Sequence, residues 1–133
     1  MKHLDLRDDG FCFVCGKDNE AGLGLDFSFQ DGRAKCLFSP RKVHQGFKDI
    51  IHGGIITAVL DEAMMKIVLS RGIEAVTAQV AVRFRQPLRV GDQSFVEAWI
   101  KKSGRRIIEA AALMKTNDER VVAEASAKLM KNG

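Results

Sequence analysis

The 133-residue sequence has little of several residue types, and each shortage excludes a class of protein. It contains only two prolines and three cysteines, while 46% of its residues are hydrophobic. Disordered, collagen-like and disulfide-scaffold proteins are therefore excluded. It has no tyrosine and one tryptophan, and its formal net charge is only +4. So small a charge, with few aromatic residues between the basic ones, argues against nucleic acid as a partner.

The sequence also lacks a hydrophobic run of the roughly 18 residues that would be needed to cross a membrane. Its first residues, Met1 to Asp9, include no apolar stretch of signal-peptide length. The odd number of cysteines fits a reducing compartment. We therefore expect a cytoplasmic protein without a membrane partner, built as one domain over residues 1–133.

The hydrophobic pattern predicts the element order β-β-α-β-β-β-β. Two short alternating runs, 25–29 and 34–38, flank Asp31-Gly32, and this dipeptide is typical of a hairpin turn. Residues 54–70 are nearly all apolar and predict one long helix. Four alternating runs follow, and with their short turns they predict a meander of four consecutive antiparallel strands. These runs cover about 76–84, 94–102, 105–115 and 120–130.

The predicted helix is apolar on almost all sides, so one sheet face cannot cover it. In the strand that follows the helix, at about 76–84, the even-numbered apolar residues alternate with mostly polar ones and are predicted to face inward. Thr77 is then predicted to lie on the solvent-facing side. Small inward residues let a sheet curve closely around a helix. We therefore predict an α+β fold in which a curved antiparallel sheet wraps one central helix, with a second copy covering its free side. The inward alanines are Ala78, Ala98, Ala123, Ala125 and Ala127.

Two features of the helix region point to chemistry. Asp61 lies on the helix with no cation at the i±3 or i±4 positions. An unsatisfied carboxylate there would cost several kcal/mol, so either a group from another element binds it or it works as an acid at a cleft. His52-Gly53-Gly54 directly precedes the helix, where free N–H groups and the positive dipole end can polarise a carbonyl that approaches the glycines closely.

The stretch from His52 to Met64, HGGIITAVLDEAM, resembles the signature of hot-dog-fold acyl-CoA thioesterases of the phenylacetate-degradation type. The segment CFVCG at 12–16, with Asn19 and Gly22-Leu23, resembles an N-terminal motif of many bacterial members. Residues 77–92 resemble the strand that follows the family's helix. The resemblance implies the hot-dog fold and hydrolysis of an acyl- or aryl-CoA thioester. It also implies no cofactor beyond the coenzyme A of the substrate. The expected assembly is a homodimer that assembles further to a homotetramer, with dimer and tetramer left as alternatives.

The resemblance further implies the catalytic positions. The family's helix carboxylate falls on Asp61, as nucleophile or as general base for water. The N–H that polarises the thioester falls on Gly53, with Gly54 close by and His52 before them.

The substrate-binding positions are less closely defined. A polar residue that many members carry seven positions before the first glycine falls on Gly46, so either the neighbouring Gln45 serves or the role is absent. Basic residues along the strand after the helix and at the following hairpin suit the phosphates of coenzyme A, or else form a solvated hairpin tip. Ten residues are predicted to contact substrate: Gln45, Gly46, Glu62, Met65, Thr77, Arg83, Arg85, Lys101, Arg105 and Arg106.

Cys12 and Cys15 form a CxxC motif. A structural zinc ion needs four ligands, and beyond this motif only Cys36 and three histidines remain as candidates. A redox CxxC would lie at a helix start. We therefore expect both thiols to pack in apolar surroundings, and we predict no metal.

The alternative function is a non-catalytic acyl-CoA-binding or sensor protein on the same fold. Asp61 favours the enzyme, because a pure binder needs no carboxylate at the thioester. A hot-dog hydratase or dehydratase is disfavoured because the spacing of His44 and Asp61 does not match its histidine and acid.

Overall fold

The computed structural model describes residues 3–133, so Met1 and Lys2 of the predicted domain lie outside the described residues. One α-helix packs against a six-stranded antiparallel sheet. The predicted element order and the hot-dog fold are confirmed. The elements are β1 (Phe27–Gln30), β2 (Arg33–Phe38), α1 (Gly53–Leu69), β3 (Ala75–Phe84), β4 (Ser94–Ser103), β5 (Ile107–Thr116) and β6 (Val121–Lys131), with a short 3₁₀ turn at Lys42–His44.

The predicted hairpin between β1 and β2 is present. Gln30 pairs with Arg33, and both turn residues adopt positive φ angles, 53° at Asp31 and 74° at Gly32. These angles define the tight turn that suits twisted antiparallel strands, and glycine at the second position adopts its φ without strain.

The predicted meander of four consecutive strands is wrong in one respect. The sheet order is β1-β2-β4-β5-β6-β3, so β3 pairs with β6 at one edge and does not pair with β4. The meander contains only β4, β5 and β6. Residues 85–93 form a long connection, in which Leu88 is fully buried and Arg89 forms an isolated backbone β-bridge with Ile50. A connection of this length carries the chain across the end of the sheet, whereas only tight turns force neighbours in sequence to pair.

A β-bulge in β3 changes which side chains face the helix. Val76 pairs with Met130 and Thr77 with Leu129, but the next pair on the strand is Gln79 with Lys128. Ala78 is therefore an extra residue and is exposed, which corrects its predicted inward position. Leu129 is fully buried against the helix, and its directly opposed partner Thr77 shares that face.

The core lies between α1 and the concave sheet face. Four of the five alanines predicted inward are buried, namely Ala98, Ala123, Ala125 and Ala127. They meet the fully or almost fully buried helix residues Ile56, Val59, Leu60, Ala63, Met64, Ile67 and Val68. Among residues 3–133, no helix combines the length and the apolar character needed to cross a bilayer.

Candidate active site

The N-terminus of α1 is capped by the residue that precedes it. The Nδ1 atom of His52 accepts a hydrogen bond of 2.8 Å from the N–H of Gly54, while Ile55 and Ile56 donate to the His52 carbonyl. Within residues 3–133, the N–H of Gly53 has no hydrogen-bond partner. Only the first of the two glycines therefore presents a free donor at the positive end of the helix.

The two glycines also differ in what surrounds them. A Cβ atom at Gly54 would lie 3.0 Å from Nδ1 of His52, which would push against the capping ring. A Cβ atom at Gly53 would meet the ring of Phe84 at 3.4 Å, an ordinary contact with a half-exposed side chain. Gly54 thus makes room for the cap, whereas Gly53 offers its N–H beside an exposed aromatic ring.

His44 is part of the structure of the loop before the helix. Its side chain is only 8% exposed and packs against Phe38, with ring centroids 5.7 Å apart. Nδ1 of His44 accepts the N–H of Arg41 at 3.0 Å. Burial lowers the pKa of His44, and the nearby Arg41 charge lowers it further. The ring is therefore held in its neutral form inside the loop.

Gln45 and Gly46, the two candidates for a polar helper, lie in a small loop that precedes the helix. Oε1 of Gln45 accepts the N–H of Asp49 at 3.0 Å, and the N–H of Gly46 donates to the carbonyl of Ile50 at 2.8 Å. The amide oxygen of Gln45 is therefore committed to the loop itself. Its NH₂ group is the part of the side chain that has no partner among the described residues.

Asp61 lies in the middle of α1, half-buried, and faces β3. The hydroxyl of Thr77 donates a hydrogen bond of 2.7 Å to Oδ1 of Asp61. Thr57, one turn before, donates its own hydroxyl to the carbonyl of Gly53 and so does not reach Asp61. Burial raises the pKa of Asp61, the Thr77 hydrogen bond opposes this rise, and the charge of Glu62 adds to it.

The second oxygen of Asp61 remains available. Within residues 3–133, Oδ2 accepts no hydrogen bond, and no fully buried side-chain oxygen or nitrogen lacks a partner. Oδ2 therefore reaches the surface. One oxygen fixes the carboxylate in place through Thr77 and the other is open to a ligand or to water.

One chain does not bring Gly53 and Asp61 to the same carbonyl group. Asp61 follows Gly53 by eight residues on a continuous helix, which separates them by about 12 Å along the axis. A carbonyl that accepts the Gly53 N–H and meets a carboxylate must lie within about 3.5 Å of both. The two groups are too far apart for this within a single copy.

Glu62 contacts the N-terminal segment. Its Oε2 accepts the thiols of Cys15 at 3.1 Å and Cys12 at 3.4 Å, and it lies 3.9 Å from Nζ of Lys66. The expectation of apolar surroundings for both thiols is therefore wrong, because both thiols donate hydrogen bonds to the Glu62 carboxylate. Glu62 and Lys66, four residues apart on the helix, lie on a largely covered stripe, with 17% and 25% of the two side chains exposed. Burial and the Glu62 hydrogen bond raise the pKa of Cys15 to about 12.

The predicted basic residues fall at opposite ends of β3. At one end Arg83 is exposed and Arg85 pairs with Glu124 at 3.0 Å. At the other end lies the β4–β5 hairpin, level with Thr77 because Leu129 pairs with both Thr77 and Ile108. A shallow depression of about 490 Å³ at this hairpin is lined by Lys102, Gly104, Arg105, Arg106, Ile107 and Glu109.

Two further predicted contacts lie elsewhere. Met65 is half-buried and packs against the core between the helix and the sheet. Lys101 is the extra residue of a bulge between β4 and β5 and lines a separate small depression of about 130 Å³ with Gln79 and Lys128. Lys101 is therefore separate from the depression that Arg105 and Arg106 line.

Comparison with known proteins gives a family match and a set of similar structures. The family model described as the thioesterase superfamily matches residues 48–123, more than half of the chain. A comparison with curated proteins finds no match.

Three solved structures illustrate the structural likeness. A Streptococcus mutans protein bound to acetyl CoA is 21% identical, with a TM-score of 0.78 over 82% of this chain and 89% of that one. A hypothetical thioesterase of Streptococcus pneumoniae with coenzyme A is 17% identical, with a TM-score of 0.78 over 82% and 86%. The PaaI protein from the phenylacetic acid degradation operon of E. coli is 22% identical, with a TM-score of 0.77 over 81% and 83%.

Proposed function

The chain belongs to the thioesterase superfamily, and from this we propose that it hydrolyses the thioester of an acyl- or aryl-CoA to the free acid and coenzyme A. The family predicted from the sequence is thereby confirmed. Two of the similar structures, from S. mutans and S. pneumoniae, carry acetyl CoA and coenzyme A, which supports a CoA ester as the substrate.

The carboxylate of Asp61 is the observation that carries this proposal. It is half-buried on the helix, it has a raised pKa, and one oxygen is fixed by Thr77 while the other is open. The S. pneumoniae thioesterase has also been solved with one aspartate and with one threonine replaced by alanine, at positions sixteen residues apart. Asp61 and Thr77 have the same separation.

The proposed chemistry needs one hydrogen-bond donor and one carboxylate, because a thioester is already activated. The N–H of Gly53 binds the carbonyl oxygen, where negative charge develops during attack. Oδ2 of Asp61 either removes a proton from water, whose oxygen adds to the carbonyl carbon, or adds to that carbon itself. The carbon–sulfur bond then breaks and coenzyme A leaves as a thiolate that takes up a proton. In the direct route, water hydrolyses the resulting anhydride.

We propose that a second copy of the chain completes the site. The separation of about 12 Å between Gly53 and Asp61 on one helix prevents them from meeting one thioester. In a two-fold symmetric dimer, Gly53 of one copy and Asp61 of its partner form each of two equivalent sites. This arrangement agrees with the homodimer expected from the sequence and remains a proposal, as does its assembly to a tetramer.

The phosphates of coenzyme A are assigned to the basic end of the β4–β5 hairpin. Arg105 and Arg106 are exposed beside a depression at the same end of the sheet as Thr77. Guanidinium groups bind phosphate oxygens in a paired geometry. Glu62 is left out of the proposed substrate contacts, because its carboxylate is already engaged by two thiols and Lys66.

The test is hydrolysis of a panel of acyl- and aryl-CoA esters, followed through the release of free thiol. We expect turnover by the wild-type chain and a fall in kcat of about 10³-fold or more in Asp61→Asn, which keeps the shape and the Thr77 contact but loses the basic oxygen. Asp31→Asn is the matched control, because it makes the same change in an exposed turn where asparagine tolerates the positive φ.

Two results would contradict the proposal. Activity retained in Asp61→Asn would remove the role of that carboxylate. A wild-type chain that turns over no ester, while coenzyme A still raises its melting temperature, would favour the non-catalytic binding protein.

A further inference from the structure

We propose that Cys12, Cys15 and Glu62 form a binding site for one zinc ion, which fastens the N-terminal segment to the helix that carries Asp61. This site is separate from the proposed hydrolysis and does not depend on it. The sequence did not indicate this site, because Glu62 lies 47 residues beyond Cys15 along the chain.

The three side chains already converge on one point. Both sulfur atoms lie within 3.4 Å of the same oxygen of Glu62, and the ligand atoms of the three residues lie within 4.8 Å of one another. Around tetrahedral zinc, thiolate and carboxylate ligand atoms are separated by about 3.5–3.8 Å, given typical metal–ligand distances. Small rotations of the side chains are therefore enough to receive the ion.

The turn that carries the cysteines has a fixed shape. The N–H of Cys15 points at Sγ of Cys12 over 3.5 Å, and the N–H of Gly16 donates to the carbonyl of Cys12 at 2.9 Å. A Cβ atom at Gly16 would lie 2.5 Å from the backbone of Cys12 and of Gly10, so only glycine fits there.

The segment around this turn is held against the rest of the chain. Val14, between the two cysteines, is buried, and its carbonyl accepts the N–H of Leu25 at 2.8 Å. Leu23 donates to the carbonyl of Phe13 at the same distance. The two sulfurs are thus presented to Glu62 by an ordered loop.

The local charge matches a divalent cation. Two thiolates and the Glu62 carboxylate carry three negative charges, and Lys66 contributes one positive charge 3.9 Å from the Glu62 oxygen. A divalent ion brings the sum to zero. On binding, the ion displaces the two thiol protons to solvent and no electrons are transferred. Sulfur ligands select zinc over magnesium or calcium, and a water molecule supplies the fourth of the four ligands that a zinc ion needs.

Cobalt(II) titration of the reduced, metal-free full-length chain tests this site. We expect one equivalent to bind, with the near-ultraviolet absorption of a cobalt–thiolate bond and the intense visible bands of tetrahedral cobalt. Zinc should then displace the cobalt. Zinc should also protect two of the three thiols from a thiol reagent.

Variants assign the ligands. We expect Cys12→Ser and Cys15→Ser to abolish the thiolate absorption and Glu62→Gln to weaken cobalt binding. Cys36→Ala is the matched control: it also removes a thiol, but from β2, and it should retain the signal.

A reduced wild-type chain without cobalt–thiolate absorption would overturn the proposal, whether or not Cys12 and Cys15 form a disulfide in air. Retention of the absorption in both Cys12→Ser and Cys15→Ser would overturn it as well. The wild-type spectrum is decisive by itself, so a variant that fails to fold does not remove the test. No readout depends on hydrolysis, so failure here is distinct from failure of the proposed activity.

Discussion

The hydroxyl of Thr77 donates a hydrogen bond of 2.7 Å to Oδ1 of Asp61, and the β-bulge at Ala78 is what allows it. Without the extra residue, the alternation of β3 would place Thr77 on the same face as Gln79, away from the helix. The bulge turns Thr77 toward α1 while Val80 also faces it. A neutral donor fixes one carboxylate oxygen without adding a cation, so the pKa of Asp61 stays raised by burial.

Thr77 is expected to act as a positioning residue for Asp61. Thr77→Val keeps the volume but removes the donor, and we expect kcat to fall about tenfold or more, since hydrogen bonds to charged groups are worth about 1.5–3 kcal/mol. KM should change little. Thr77→Ser is the matched control, since it restores the hydroxyl and should restore most of kcat. Equal losses in both variants would indicate a packing role instead.

The free N–H of Gly53 can be deleted without breaking the helix. Proline is favoured at the first helical position, and His52, at φ −59° and ψ 130°, has the extended conformation that precedes proline. We expect Gly53→Pro to lower kcat by about 10²–10³-fold, the effect of losing one oxyanion donor. Gly53→Ala keeps the N–H and should stay near wild type. The two variants should melt at similar temperatures, and full activity in Gly53→Pro would contradict the assigned donor.

A site shared between two copies predicts complementation. Asp61→Asn and Gly53→Pro are each expected to be inactive alone. In a dimer that contains one of each, the intact Gly53 of one copy meets the intact Asp61 of the other at one of the two sites. Random mixing makes half of the dimers mixed, so co-expression in equal amounts should recover about a quarter of wild-type activity. Activity no higher than that of the separate variants would place both groups in the same chain or in no common site.

The lowered pKa of His44 predicts how the free energy of unfolding depends on pH. Burial lowers the pKa of His44 in the folded chain below the ordinary 6.5, so the unfolded chain binds more protons in that range. The contribution of neutral His44 to stability is fully present above pH 6.5 and is lost as the pH falls toward the folded pKa. We expect the melting temperature to fall with acid over this window.

His44→Asn is the variant that tests this dependence, because its amide oxygen can accept the Arg41 N–H and it does not titrate. We expect a lower melting temperature at neutral pH and a weaker dependence on pH below 6.5. His3→Asn, in the exposed N-terminal segment, is the control and should leave the dependence unchanged. The same acid dependence in His44→Asn as in wild type would assign the effect to another group.

The parts of this site that could be predicted are those that depend on the sequence pattern within a few residues. The helix was expected at 54–70 and runs from Gly53 to Leu69, because apolar helix formers and the flanking glycines act within a few residues. His52, Gly53 and Asp61 were singled out for the same reason, since the helix start and the helix itself set their environment. The half-exposed Phe84 ring beside Gly53 was not anticipated as a neighbour, because its contact comes from the end of another strand.

The sequence by itself determined the order of the elements, the hairpin at Asp31-Gly32 and the acid on the helix, since each depends on periodicity or turn chemistry within a short stretch. Only the tertiary structure decided that β3 lies beside β6, that Thr77 faces Asp61, and that Cys12 and Cys15 meet Glu62. The contacts of Asp61 and Glu62 join residues 16 to 50 positions apart, and the β3–β6 pairs join residues 39 to 56 positions apart. They depend on strand register and on the path of long connections, which no local alternation of polar and apolar residues encodes.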